Sequence, residues 1–95
     1  MKLTDFEMMP TDTPKGVQAV LQFGKDYELS VVSNDVSYGG SKGLYEIMVI
    51  HKGEQKELPG ITNEGDTVKG WLTEKDVDTI IKKMHTITGE IPVQI

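Results

Sequence analysis

Apolar and polar residues alternate along three stretches of the chain, which predicts three β-strands over residues 17–23, 27–32 and 44–51. The short glycine-containing segment 24–26 between the first two stretches is typical of a β-hairpin, and residues 52–55 predict a second hairpin turn. Weaker patterns predict short strands near residues 56–61 and 67–72, near Phe6 and Met8, and at the alternating residues Ile91, Val93 and Ile95.

One α-helix is predicted to begin after Thr73 and to end at Gly89. Thr73 and Asp76 have the spacing of a capping box, in which each side chain accepts a hydrogen bond from the backbone amide of the other residue. Glycine is common just after a helix because it adopts the left-handed conformation without strain. The apolar residues of this segment form one stripe at helical spacing: Val77, Ile80, Ile81, Met84 and Ile87.

These elements predict a single α+β domain over residues 1–95. Its architecture is an antiparallel sheet of four to five strands with one C-terminal helix packed on one face. The face toward the helix is expected to carry nine residues: Val17, Ala19, Leu21, Phe23, Leu29, Val31, Tyr45, Ile47 and Val49.

The opposite face of the predicted sheet carries more apolar residues than a solvated face usually does: Val20, Val32, Leu44, Met48 and Ile50. Polar residues, among them Gln18 and Glu28, alternate with them. Either the N-terminal segment folds over this face or another chain covers it, and a homodimer is one form of the second arrangement.

The charge balance narrows the classes of partner. The net charge is −5, and all 10 basic residues are lysines. Arginine is the side chain that reads guanine with two hydrogen bonds and grips phosphate as a fork, so its absence argues against specific recognition of DNA or RNA. The chain contains no cysteine and no apolar run long enough for a signal peptide or a membrane span, which favours a cytoplasmic protein without a membrane partner.

The segment between the second and third predicted strands is rich in glycine, and it is the candidate binding site. A loop of this kind is either a shaped turn or a binding surface, because glycine accepts positive φ and lets another group approach closely. Consecutive amides together with Lys42 could hold a phosphate, although the order of residues differs from a P-loop and a strand follows instead of a helix. The candidate binding residues are Tyr38, Gly39, Gly40, Lys42, Gly43, Leu44 and Tyr45.

No pattern in the chain predicts a catalytic residue, a metal ligand or a cofactor. His51 and His85 have no serine or acid motif around them, and no acids follow the spacing of a calcium loop. We expect both histidines to be structural or exposed. Trp71, which follows Gly70 directly, is expected to anchor the junction of sheet and helix in a core or hinge role, with stacking on a ligand as the alternative.

Three segments resemble small uncharacterised proteins encoded in bacteriophage genomes: LSVV (residues 29–32), SYGGSKGLYE (residues 37–46) and GWLTEKDV (residues 70–77). The resemblance covers about the central two-thirds of the chain. It implies a protein made in the cytoplasm of an infected host. The leading hypothesis is therefore a non-catalytic module that binds a host protein, such as an enzyme or a defence factor that it inhibits. The alternative is a module that binds or sequesters a phosphate or nucleotide through the glycine-rich loop.

Overall fold

Seven β-strands and one α-helix form the regular structure of the computed structural model, which describes all residues 1–95. The helix, α1, spans Glu74–Thr88. The strands are β1 (Met9–Asp12), β2 (Lys15–Phe23), β3 (Tyr27–Asn34), β4 (Tyr45–His51), β5 (Glu54–Gln55), β6 (Val68–Leu72) and β7 (Val93–Gln94).

All strands belong to one antiparallel sheet, which confirms the predicted α+β class. The centre of the sheet is β2–β3–β4, and each outer edge is shared by two short strands. β1 and β7 pair with successive halves of β2, while β6 and β5 pair with successive halves of β4. The sheet therefore has seven strands, although it is only about five strands wide.

Two tight turns set the register of the sheet. Phe23 pairs with Tyr27 across the segment 24–26, as the alternation predicted, and Gly24 adopts a φ of 70° there. The β4–β5 hairpin turns through Lys52 and Gly53, which both have positive φ, at 51° and 82°. Two successive positive φ values are typical of a type I′ turn, whose twist matches that of the flanking strands.

The boundaries of α1 agree with the prediction. The Asp76 amide donates to Thr73 Oγ1 at 3.1 Å, and the Thr73 amide donates to Asp76 Oδ2 at 2.9 Å. Gly89 ends the helix at a φ of 71°. Val77, Ile80, Ile81 and Met84 are buried, whereas Ile87 is exposed and lies outside the core.

Seven of the nine residues predicted for the inner face are buried in the core: Ala19, Leu21, Phe23, Leu29, Val31, Ile47 and Val49. Val17 and Tyr45 are only half-buried, and Tyr45 packs against the core from its margin. The core also contains three residues that periodicity did not place there, namely Leu3, Ile61 and Leu72.

The predicted strand over residues 56–61 is wrong. The strand ends at Gln55, and residues 59–61 form a turn in which the Ile61 and Thr62 amides both donate to the Leu58 carbonyl at 3.0 Å. Pro59 lacks an amide donor and Gly60 adopts a φ of 87°, so neither suits a strand. The turn buries Ile61 instead of pairing it.

The N-terminal segment follows a different path from the predicted one. The first strand begins at Met9, so Phe6 and Met8 precede it and pack against the core. The Leu3 amide donates to Asp78 Oδ1 of α1 at 2.7 Å, and the Leu3 side chain is buried. The segment therefore lies on the helix side of the sheet, and it does not cover the opposite face.

The C-terminal segment forms the expected short edge strand. Val93 pairs with Gln22 and Gln94 pairs with Leu21. The Ile95 amide continues the pairing by donating to the Val20 carbonyl at 3.0 Å. Ile91, Val93 and Ile95 remain exposed, because no other element lies over them.

Candidate interaction site

The glycine-rich loop joins β3 to β4 over residues 35–44 and contains a single 3-10 turn at Gly40–Lys42. Asn34 opens the loop, and its Oδ1 accepts hydrogen bonds from the amides of Val36 and Ser37 at 3.0 and 2.8 Å. Gly39 and Gly43 flank the turn with φ values of 92° and 74°. Residues other than glycine are strained at positive φ, so these two glycines allow the loop to adopt its shape.

The backbone amides of this loop are used almost entirely within the protein. Most of them donate to carbonyl or side-chain oxygens of the loop and of β2, β3 and β4: Asp35, Val36, Ser37, Tyr38, Gly40, Lys42, Gly43 and Leu44. The amides left without a partner belong to Gly39 and Ser41, which are not consecutive. An anion cradle needs successive amides that point at one ligand. The geometry therefore does not favour the phosphate-binding alternative.

The loop is fixed on the edge strand β6 by contacts around Tyr38. The Trp71 amide donates to the Tyr38 carbonyl at 3.0 Å, and the Tyr38 amide donates to Glu46 Oε1 at 2.7 Å. A Cβ atom at Gly70 would lie 2.3 Å from the Cβ of Tyr38, so only glycine permits this approach. The loop is thus held by both of the strands beneath it.

Trp71 lies where β6 leads into α1, but it is not buried there, so the expected core role is wrong. Its side chain is 57% exposed, and its backbone adopts a φ of 58°. The pairing of β4 with β6 shifts register at this point, between Tyr45 and Ile47. Such a bulge redirects side chains, and here it turns Leu72 into the core and Trp71 to the surface.

Tyr38 and Trp71 together form an exposed aromatic surface, which we call the aromatic pair. Tyr38 is 58% exposed, and the two residues are joined through their backbones. A Cβ atom on Gly39, the residue between Tyr38 and the 3-10 turn, would lie 3.3 Å from Trp71 Cε3. Sequence reasoning named Tyr38 but missed Trp71 as a surface residue, because a bulge in the pairing leaves no periodic signal.

The remaining candidate residues of the loop divide into exposed and structural positions. Lys42 is exposed, and so is Gly43. Gly39 is buried, and Gly40 is packed so tightly that a Cβ atom would lie 1.8 Å from the Asn34 carbonyl oxygen. Leu44 is half-buried, and its carbonyl accepts a hydrogen bond from Ser33 Oγ at 2.9 Å.

Both histidines make local contacts away from the glycine-rich loop. The His51 ring lies against Tyr27 with a centroid distance of 4.4 Å, and His85 Nδ1 lies 2.9 Å from the Glu90 carbonyl oxygen. No group of three or more histidine, cysteine, aspartate or glutamate side chains is placed to hold a metal ion. The largest surface depression, about 770 Å³, is bordered mainly by polar residues at the N-terminus and along α1. One of these, Asp78, holds the Leu3 amide.

Comparisons with protein-family models, curated proteins and solved structures found no match to this chain. None of the helices has the length and apolar character needed to cross a membrane. The function is therefore argued from the geometry of the chain itself.

Proposed function

We propose that this protein is a non-catalytic module that binds another protein through the aromatic pair on the glycine-rich loop. The observation that carries the proposal is the conformation of Trp71, which combines a left-handed backbone with a side chain that is more than half exposed. A tryptophan gains stability only from the area that it buries, so the exposed part of Trp71 adds nothing to the fold, although the ring edge at Cε3 lies close to Gly39.

The positive φ of Trp71 lowers the stability of the fold. A left-handed backbone costs a residue other than glycine about 1–2 kcal/mol, and such strain concentrates at functional sites. Tryptophan and tyrosine are enriched among the residues that dominate binding energy at protein interfaces. An exposed tryptophan beside an exposed tyrosine is therefore well suited to bind a protein surface.

The rigidity of the loop supports the same proposal. The Trp71 amide of β6 donates to the Tyr38 carbonyl at 3.0 Å, and the Tyr38 amide donates to the Glu46 carboxylate of β4 at 2.7 Å. A contact surface that is ordered before binding loses less conformational entropy when the complex forms. The loop therefore offers the aromatic pair to a partner without first having to fold.

The nature of the partner follows from the resemblance to small bacteriophage-encoded proteins. We propose that the protein acts in the cytoplasm of an infected host, where it binds a host enzyme or a defence factor and blocks part of its surface. Lys42 is exposed on the same loop and gives it a positive charge.

Trp71→Asn tests the proposal sharply, because asparagine tolerates the left-handed backbone while removing the aromatic ring. The tagged wild type, Trp71→Asn and Tyr38→Ala proteins would each be used to capture partners from a host lysate. Ile87→Ala is the matched control, since Ile87 is an exposed apolar residue on α1.

We expect the wild type and Ile87→Ala to recover the same host protein in stoichiometric amounts. Trp71→Asn should reduce recovery by about tenfold or more, as expected when a residue that dominates the binding energy is removed. Circular dichroism would verify that each variant is folded. Equal recovery by Trp71→Asn, Tyr38→Ala and the wild type would contradict the proposal.

A further inference from the structure

The sheet face that points away from α1 remains open in the folded protein. The register places its side chains in rows across the strands, and one row consists of Val20, Ser30, Met48 and Val68. A neighbouring row contains Val93, Gln22, Glu28, Ile50 and Gln55. We call this surface the outer face.

Six apolar side chains, which we call the belt, are spread across the outer face, and Ser30, Gln22 and Glu28 stand between them in the register. Val20, Val32, Met48, Ile50 and Val68 are partly exposed, and Val93 at the β7 edge is 66% exposed. The N-terminal segment lies on the helix side, so no element of this chain covers the belt. Several exposed apolar side chains on one uncovered sheet face are typical of an interaction site.

The charges on the outer face have one sign. The charged residues at outer-face positions of the register are Glu28 and Glu46. Lys15 and Lys69 occupy inner-face positions. A symmetric dimer through this face would bring glutamates together, and juxtaposed like charges oppose association. A complementary partner carries lysine or arginine beside its apolar residues.

The dimensions of the belt indicate a helix. Neighbouring strands lie about 4.8 Å apart and a helix with its side chains is about 10 Å wide, so one helix covers two to three strands. The three central strands β2, β3 and β4, which carry Val20, Val32, Met48 and Ile50 of the belt, provide this width. On the other side of the sheet, α1 buries its own apolar stripe in the same manner.

We infer that the outer face binds an amphipathic α-helix of the partner whose apolar stripe is flanked by lysine or arginine. This inference rests on the proposed function, because Tyr38 lies at one end of the same face. Glu46, which belongs to the outer face, accepts the Tyr38 amide, and Tyr38 packs directly on Gly70 of β6. A helix that lies along β3 and β4 on this face thus ends beside Tyr38.

The test uses a fluorescent amphipathic peptide of about 18 residues, long enough for roughly five helical turns, with leucines on one face and lysines beside them. A second peptide carries glutamate in place of every lysine. Binding of both peptides to the full-length protein is measured by fluorescence anisotropy at about 50 and about 300 mM salt, which shortens the Debye length markedly.

We expect the lysine peptide to bind more tightly than the glutamate peptide and to weaken as salt is added. Glu28→Lys should weaken its binding roughly three- to tenfold, because it replaces an attraction with a repulsion. Glu7→Lys is the matched control, since it makes the same charge change on an exposed residue of the N-terminal segment, which lies on the helix side of the sheet. Met48→Ser should also weaken binding, with folding checked by circular dichroism.

Three outcomes would overturn the inference. The first is equal binding of both peptides, and the second is an equal effect of Glu28→Lys and Glu7→Lys, which would reflect net charge alone. The third is a dimer in light scattering that Met48→Asp dissociates, because a second copy would then occupy the face. The proposed function fails separately, when Trp71→Asn leaves capture of the host protein unchanged.

Discussion

Single residues decide how the glycine-rich loop is held above the sheet. Gly70 allows Tyr38 to approach β6, and the left-handed backbone of Trp71 accommodates the bulge beside it. At the other end of β4, Lys52 adopts positive φ in a turn that prefers asparagine or glycine. Each of these positions can be tested by one substitution.

Gly70→Ala should lower the free energy of unfolding by about 1–3 kcal/mol, because the new methyl group overlaps Tyr38 and forces the loop to move. Trp71 is the only tryptophan in the chain, so its fluorescence reports directly on this movement. Gly43→Ala is the control, because a Cβ atom there meets no other atom within 4 Å. It should cost stability through its positive φ alone and leave the emission spectrum unchanged, whereas a stable Gly70→Ala with native emission would contradict the packing argument.

Lys52→Asn should raise the free energy of unfolding by about 0.5–1 kcal/mol, because asparagine adopts the left-handed conformation more readily than lysine. Urea denaturation measures the change. Lys25→Asn serves for comparison, since Lys25 lies in the β2–β3 turn without positive φ and should change stability by less than about 0.5 kcal/mol. A loss of stability in Lys52→Asn would show that the lysine side chain stabilises the turn.

The elements differ in how much of their structure is encoded locally. The segment from Thr73 to Gly89 contains the capping residues that begin and end α1 and the apolar stripe that it buries. The β2–β3 hairpin likewise follows from two alternating stretches around a short turn. The segment from residue 56 to residue 61 contains apolar residues, but Pro59 and Gly60 form a turn there. Ile61 is therefore buried through contacts with the rest of the fold and not through a local strand pattern.

The helix cap should make stability depend on pH in the acid range. The hydrogen bond from the Thr73 amide, with its hydroxyl and the nearby Lys69 and Lys75 as smaller contributions, holds the pKa of Asp76 below its usual value. A carboxyl group whose pKa is lowered by folding stabilises the fold above its unfolded pKa of about 3.9, and this contribution is lost as pH falls through the folded pKa.

The stability difference between wild type and Asp76→Asn should therefore be constant from about pH 7 to about pH 5 and shrink below about pH 4. Urea denaturation across this range measures it. Thr73→Ala, which removes the hydroxyl that accepts the Asp76 amide, should lower stability by about 0.5–2 kcal/mol at neutral pH. A difference between wild type and Asp76→Asn that stays unchanged at the lowest pH would contradict this account.

The two faces of the sheet differ in what covers them. The inner face is closed by α1 together with the N-terminal segment, whose Leu3 is buried beside Asp78. The outer face stays open, and the glycine-rich loop lies at one end of it. This asymmetry leaves the molecule with one closed core and one surface free to bind.

Leu3→Ala should lower the free energy of unfolding by about 2–5 kcal/mol, because it removes a buried side chain and leaves a cavity under α1. Its neighbour Thr4 is exposed, so Thr4→Ala is expected to change stability by less than about 0.5 kcal/mol. Thermal unfolding of both variants compares the two effects. A Leu3→Ala protein as stable as the wild type would show that the N-terminal segment is not part of the core.

The sequence by itself determined the features that depend on neighbouring residues. The period of the apolar positions placed most of the core, the capping residues placed α1, and glycine between alternating stretches placed the first hairpin. The candidate loop and Tyr38 were also found in this way, because a cluster of glycines is visible without a fold. Whether that loop binds a partner remains a prediction.

Only the tertiary structure decided the features that depend on residues far apart in the chain. Trp71 is exposed because a register shift between β4 and β6 turns Leu72 inward, and no local pattern encodes a register. Leu3 joins the core through contacts with a helix more than seventy residues later. The loop amides were available as an anion site in the sequence, but folding paired them with carbonyls and with Glu46. The loop therefore exposes Tyr38 beside Trp71 of β6, while most of its backbone amides are paired within the protein.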